Sequence, residues 1–109
     1  FDTFVKATGY RTKAEGDGAT RTWRTPGYAW EPGQPVTYVT PLDASEYCSW
    51  AGGRLPTDEE WVLAARAGAT TRHFWGEEVD SDYLWFRPNS EDRPRAVGTK
   101  RPNAFGLYD

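Results

Sequence analysis

Glycine and proline interrupt this chain so often, eleven of one and eight of the other in 109 residues, that long helices are disfavoured from the outset. Glycine reaches positive φ at no steric cost, and proline fixes φ and lacks an amide proton, so both types mark turns. The expected fold is therefore loop-rich, and something must fill the space between the turns. Only 38% of residues are apolar, but 16% are aromatic, which makes Trp, Tyr and Phe the main suppliers of buried area and predicts a core of large rings. The same richness in rings argues against disorder. At this length one core is possible, and folding buries roughly two thirds of the surface that the unfolded chain exposes.

Local patterns place the elements. Phe1, Phe4 and Val5 recur at helical spacing up to Gly9, a residue type suited to the position just past a helix end. Residues 11 to 33 are polar and Gly-rich, punctuated by Trp23, Tyr28 and Trp30, and read as a long loop pinned by rings. Pro35-Val36-Thr37-Tyr38-Val39 is β-branched and aromatic and is expected to be a short strand. Pro41 can occupy a first helical turn, and Ala44, Tyr47, Cys48 and Ala51 form one stripe of the helix it opens, ended by Gly52 and Gly53. Thr57 and Glu60 make a capping-box pattern for a following helix with Trp61, Ala64 and Ala65 on one face, closed by Gly68. Beyond it come aromatic clusters at residues 74–76, 83–86 and 105–108 without longer periodicity. The chain reads as beginning inside a helix and stopping after an apolar cluster, so residues 1–109 are expected to be one partial domain cut at both ends.

Several functional classes drop out. A net charge of −3 with scattered Lys and Arg supplies no basic face for a phosphate backbone, so no nucleic-acid partner is expected. No apolar run approaches the roughly 20 residues that span a bilayer, and no membrane partner is expected. The single cysteine, Cys48, permits no internal disulfide and no multi-thiolate zinc site.

Four constellations could carry chemistry. Cys48 with His73 would be a nucleophile and base, but Cys48 lies on an apolar helix stripe, where a thiol acts as a small hydrophobe, and His73 reads as a partly exposed loop ring. Glu77, Glu78, Asp80 and Asp82 offer carboxylates of the kind that bind calcium, although a solvated acidic loop accounts for them more simply. Gly16-Asp17-Gly18 lacks the ligand spacing of a calcium loop and reads as a turn. Trp85, Arg87 and Asn89 combine a ring, a planar cation and an amide in one loop and are the candidate ligand-binding residues; the plainer alternative packs Trp85 and leaves Arg87 solvated. No catalytic or metal-binding residue is assigned.

The run from Asp43 to Trp61, DASEYCSWAGGRLPTDEEW, followed by Ala64-Ala65-Arg66-Ala67-Gly68, resembles the signature segment of the formylglycine-generating (sulfatase-modifying) enzyme family. Phe4-Val5-Lys6-Ala7-Thr8-Gly9-Tyr10, Phe74-Trp75-Gly76 and Pro102-Asn103-Ala104-Phe105-Gly106-Leu107-Tyr108-Asp109 extend the likeness in the family's order over nearly the whole chain. In the signature, Gly53 ends one helix, Pro56 turns the residue before it away from helical geometry, and Thr57 starts the next. Arg54 is expected to pair with a carboxylate such as Glu60 or to cap nearby carbonyls.

The resemblance implies an α+β, C-type-lectin-like fold of short helices and short antiparallel strands. For an intact family domain it implies oxidation of a substrate cysteine to formylglycine with copper and oxygen, and often bound calcium. By the same resemblance the catalytic cysteine pair lies beyond Asp109, and Cys48 matches a position that is not catalytic. One family calcium site falls between residues 83 and 95, where this chain has Leu84-Trp85-Phe86 and a shorter insert, and a second falls after Asp109. Proteins that share the signature also include domains attached to kinases, ergothioneine-type sulfur enzymes and retroelement-diversified binding proteins. The rival expectation is thus a non-catalytic module on the same scaffold, with Trp85 and Arg87 presented to a protein, a peptide or a small ligand.

Overall fold

The computed structural model describes residues 1–109 as two compact units, one formed by Phe1–Trp30 and Val36–Leu55, the other by Glu31–Pro35 and Pro56–Asp109. Five short helices occur: α1 (Asp2–Thr8), α2 (Lys13–Gly16), α3 (Pro41–Trp50), α4 (Asp58–Arg66) and α5 (Arg87–Ser90). None exceeds ten residues, as the density of Gly and Pro requires.

In the first unit, α1 ends where Gly9 takes φ 69° and its amide reaches the Val5 carbonyl. The left-handed conformation there suits a residue without Cβ. Phe4 and Val5 from this helix are the buried apolar residues, 3% and 6% exposed. Phe4 is ringed by Phe1, Tyr10, Tyr47 and Trp50, with centroids 5.1 to 5.8 Å away. Trp50, absent from the expected stripe of α3, joins this cluster although 45% of it is exposed, while Ala51 is exposed at the helix end. Cys48 is half-buried.

Two expectations for this unit need correction. The loop expected over 11–33 contains α2, opened by a capping box in which Thr12 and Glu15 satisfy each other's amides. Thr12 is 1% exposed. The strand expected at 35–39 does not form: Tyr38 sits at φ 58°, which breaks an extended run, and the hydroxyls of Tyr28 and Thr37 bond each other. The β-branched and aromatic composition there had no neighbouring strand to pair with. Antiparallel pairing in the molecule is confined to an isolated bridge between His73 and Gly76.

The second unit opens with α4. Thr57 caps it, its hydroxyl accepting from the Glu60 amide at 3.2 Å while Glu60 accepts from the Thr57 amide at 2.9 Å. The helices on either side of the Gly-Pro stretch are thus separate, as the sequence predicts, and the Arg54 guanidinium donates to the Leu55 carbonyl at 3.0 Å. Replacing Thr57 with Ala should cost about 1 kcal/mol through the lost cap; a thermal melt unchanged by the substitution would contradict the role. Ala67 and Gly68, at φ 47° and 88°, end the helix.

Asn103 staples the C-terminal turn to α4. Its amide donates to the Ala64 and Ala65 carbonyls at 2.7 and 3.1 Å, and its carbonyl accepts from the amides of Phe105 and Leu107. The segment 31–35 is tied in by Val97 N–H to the Gly33 carbonyl and by the Gln34 amide to the Pro94 carbonyl, both 2.9 Å. The large rings gather in two clusters, one per unit, while Trp61, Leu63 and Phe105 stay 63%, 65% and 60% exposed. Ala64 and Ala65 are half-buried on α4, but Trp61 is largely exposed.

Candidate functional site

The most constrained polar group is Asp43, at the third position of α3 and wholly buried. Its Oδ2 accepts from the Thr40 amide at 2.7 Å and the Thr40 hydroxyl at 2.8 Å, which caps the helix. Its Oδ1 accepts from the Tyr10 hydroxyl at 2.9 Å and the Lys13 amide at 3.0 Å. One carboxylate thereby joins the end of α1, the start of α2 and the start of α3. Burial alone would raise its pKa, but the donors from Thr40, Lys13 and Tyr10 outweigh it and hold the carboxyl below its ordinary value. Burial and the Asp43 carboxylate push the Tyr10 phenol up to about 12. With every lone pair engaged by the fold, Asp43 organises structure and does not face a substrate. The sequence reading missed it, although Thr40-x-x-Asp43 is a capping pattern.

The loop with the candidate ligand-binding residues is ordered by its own bonds. Trp85 donates its Nε1–H to the Thr99 hydroxyl at 3.0 Å and carries the Lys100 ammonium 3.7 Å from its ring centre. Arg87 pairs with Asp92 at 3.0 Å and has a side chain 86% exposed. Asn89 is half-buried, accepts from the Phe86 amide at 2.8 Å and donates to the Leu84 carbonyl at 3.0 Å, which fixes the first turn of α5.

Cys48 lies on α3 in the first unit and His73 in a turn of the second. Three of the four carboxylates at 77–82 take separate partners: Glu77 accepts from the Arg72 amide, Asp80 from the Asp82 amide, and Asp82 pairs with Arg101 at 3.2 Å. No three His, Cys, Asp or Glu side chains gather into a set that could hold a metal ion. No helix is long and apolar enough to cross a membrane.

A cavity of about 320 Å³ opens in the second unit between α4 and the turn that follows it. Helix α4 contributes Trp61, Val62, Ala65 and Arg66. The turn contributes Arg72, His73, Phe74 and Trp75. His73 stacks on Trp75 at 4.7 Å and 3°, Trp75 stacks on Tyr83 at 5.2 Å and 9°, and Phe74 meets both Trp75 and Tyr83 edge-on. The aromatic types were legible in the sequence; their convergence across α4 was not.

Comparison with known proteins places this architecture. The formylglycine-generating enzyme of Streptomyces coelicolor is 34% identical over 158 aligned residues, covering 100% of this chain and 50% of the relative. The aligned span exceeds the chain's 109 residues, so that relative carries additional residues between matched segments. The serine/threonine-protein kinase pkn1 of Chlamydia caviae is 44% identical over 85 residues, covering 77% of the chain and 13% of the kinase. The inactive C-alpha-formylglycine-generating enzyme 2 of Bos taurus is 38% identical over 87 residues, covering 69% of the chain and 29% of that protein. The chain spans about half the length of the formylglycine-generating enzymes of Streptomyces coelicolor and Thermomonospora curvata. Since the model of the sulfatase-modifying factor enzyme 1-like domain matches residues 1–109, the chain belongs to that family.

Proposed function

We propose that this chain supplies scaffold to a formylglycine-generating domain, and that a longer protein carrying it oxidises a substrate cysteine to formylglycine with catalytic cysteines outside residues 1–109. The observation that carries this reading is the family match over all 109 residues, joined by formylglycine-generating enzymes aligned to the whole chain. Cys48 is the single thiol, half-buried on α3, and no metal-holding set of side chains surrounds it. The residues present therefore do not fit a copper centre, the dispersed carboxylates at 77–82 do not fit a calcium site, and no oxidative step is assigned to this chain.

What its residues do is hold shape. Family membership implies a C-type-lectin-like fold; with it we infer an α+β body of short antiparallel strands, to which this chain contributes its capped helices and the His73–Gly76 bridge. Trp85, Arg87 and Asn89 form the surface we assign to a protein or peptide substrate, supported by the outward Arg87 side chain and the rigid loop that Asn89 builds. The rival reading, a non-catalytic binding module, is not favoured by relatives that cover the full chain.

Mass spectrometry of a cysteine-containing sulfatase peptide, incubated with copper and oxygen, tests the proposal. A longer protein carrying this segment should form formylglycine, its Cys48→Ser variant should retain that activity, and the 109-residue chain should form none. An inactive longer protein, or loss of activity in Cys48→Ser with an unchanged melting temperature, would overturn it.

A further inference from the structure

The cavity beside α4 combines shape with unspent polarity. Its volume of about 320 Å³ lies at the small end of the roughly 300–1,000 Å³ typical of ligand pockets. One wall is fixed: Trp75 stacks on His73 and on Tyr83, and donates Nε1–H to the Glu78 carbonyl at 2.8 Å. The other wall is free to adapt, because Trp61 is 63% exposed. Arg66 and Arg72 complete the lining. Arg66 spends Nη1 on the Ala69 and Thr71 carbonyls. Arg72 gives its main-chain amide to Glu77, but its guanidinium makes no hydrogen bond or ion pair. The buried Nε2 of His73 also has no partner.

We propose that this cavity binds a small aromatic carboxylate, its ring against Trp61 and Phe74 and its carboxylate on Arg72. The aromatic lining favours a ligand that carries a ring. The free guanidinium presents paired N–H donors that match a carboxylate and disfavour an amine. With the Arg66 guanidinium engaged by backbone carbonyls and the Arg72 guanidinium without a hydrogen bond, a cavity of this size calls for a monoanion of one or two rings.

Calorimetry with phenylacetate and phenylacetamide, which differ chiefly in charge, decides the matter on the unaltered protein. Phenylacetate should give a saturable isotherm in the millimolar range or below, and phenylacetamide should bind about tenfold more weakly. Arg72→Gln should weaken phenylacetate by about tenfold without moving the melting temperature, since the guanidinium holds no internal hydrogen bond or ion pair. Equal affinity for acid and amide, absence of saturable binding, or an unchanged isotherm in Arg72→Gln would each overturn the proposal.

Discussion

An Asp43→Ala chain is expected to lose about 3 kcal/mol of stability in urea unfolding followed by circular dichroism, enough to unfold much of the first unit. The substitution strips four donors of their acceptor at once: the Thr40 amide and hydroxyl, the Lys13 amide and the Tyr10 hydroxyl. Some of these would find water, since Thr40 and Tyr10 are only half-buried. Asp43→Asn should cost about half as much, because the amide keeps one acceptor but turns a donor toward a group that needs none. A loss below about 1 kcal/mol for the alanine variant would contradict the hub.

The pH dependence has a definite sign. Asp43 has a lowered pKa in the fold, so its contribution is present above the ordinary carboxylate range and disappears as pH falls through the folded value. Tyr10 has a raised pKa, so its contribution is present below the ordinary tyrosine value and disappears as pH rises towards about 12. Stability of the first unit should therefore fall at both extremes, and the acid limb should flatten in Asp43→Asn.

Phe4→Ala should be comparably damaging, about 3 kcal/mol, measured the same way. Phe4 is 3% exposed, and removing its ring leaves Phe1, Tyr10, Tyr47 and Trp50 facing a void that rigid neighbours cannot collapse into. Phe4→Leu, which keeps most of the volume, should cost about 1.5 kcal/mol or less. If the alanine variant matched the leucine variant, the cluster would have to be loose enough to refill the space.

What the sequence disclosed was mostly local. Gly9 as a helix end, Pro41 as a helix start and the Thr57–Glu60 cap depend on neighbouring backbone groups and are readable within a few residues. The same grammar at Thr12–Glu15 went unread because α2 has only four residues and no apolar period to draw attention to it. The strand expected at 35–39 failed because β-propensity reports how a side chain fits a neighbouring strand, and Tyr38 turns the chain instead. The Asp43 hub joins residues 33 positions apart, beyond any local pattern. Asn89 reads from the sequence as a ligand-binding candidate, but which backbone groups its side chain would bond could not be read from its type. The resemblance was legible over most of the chain, yet the relatives include proteins named as formylglycine-generating enzymes, as an inactive counterpart and as a kinase, so likeness here tracks architecture before chemistry.

Five residues, Glu31–Pro35, belong to the second unit although the first unit's sequence surrounds them. No single cut in the backbone can therefore yield either unit whole. Severed after Leu55, the downstream piece forfeits the Gly33 carbonyl that receives the Val97 amide and the Gln34 side chain that reaches Pro94, while the upstream piece drags along five residues whose partners have gone. Dissection of this chain must follow its contacts in space, since its modules are not written as consecutive text.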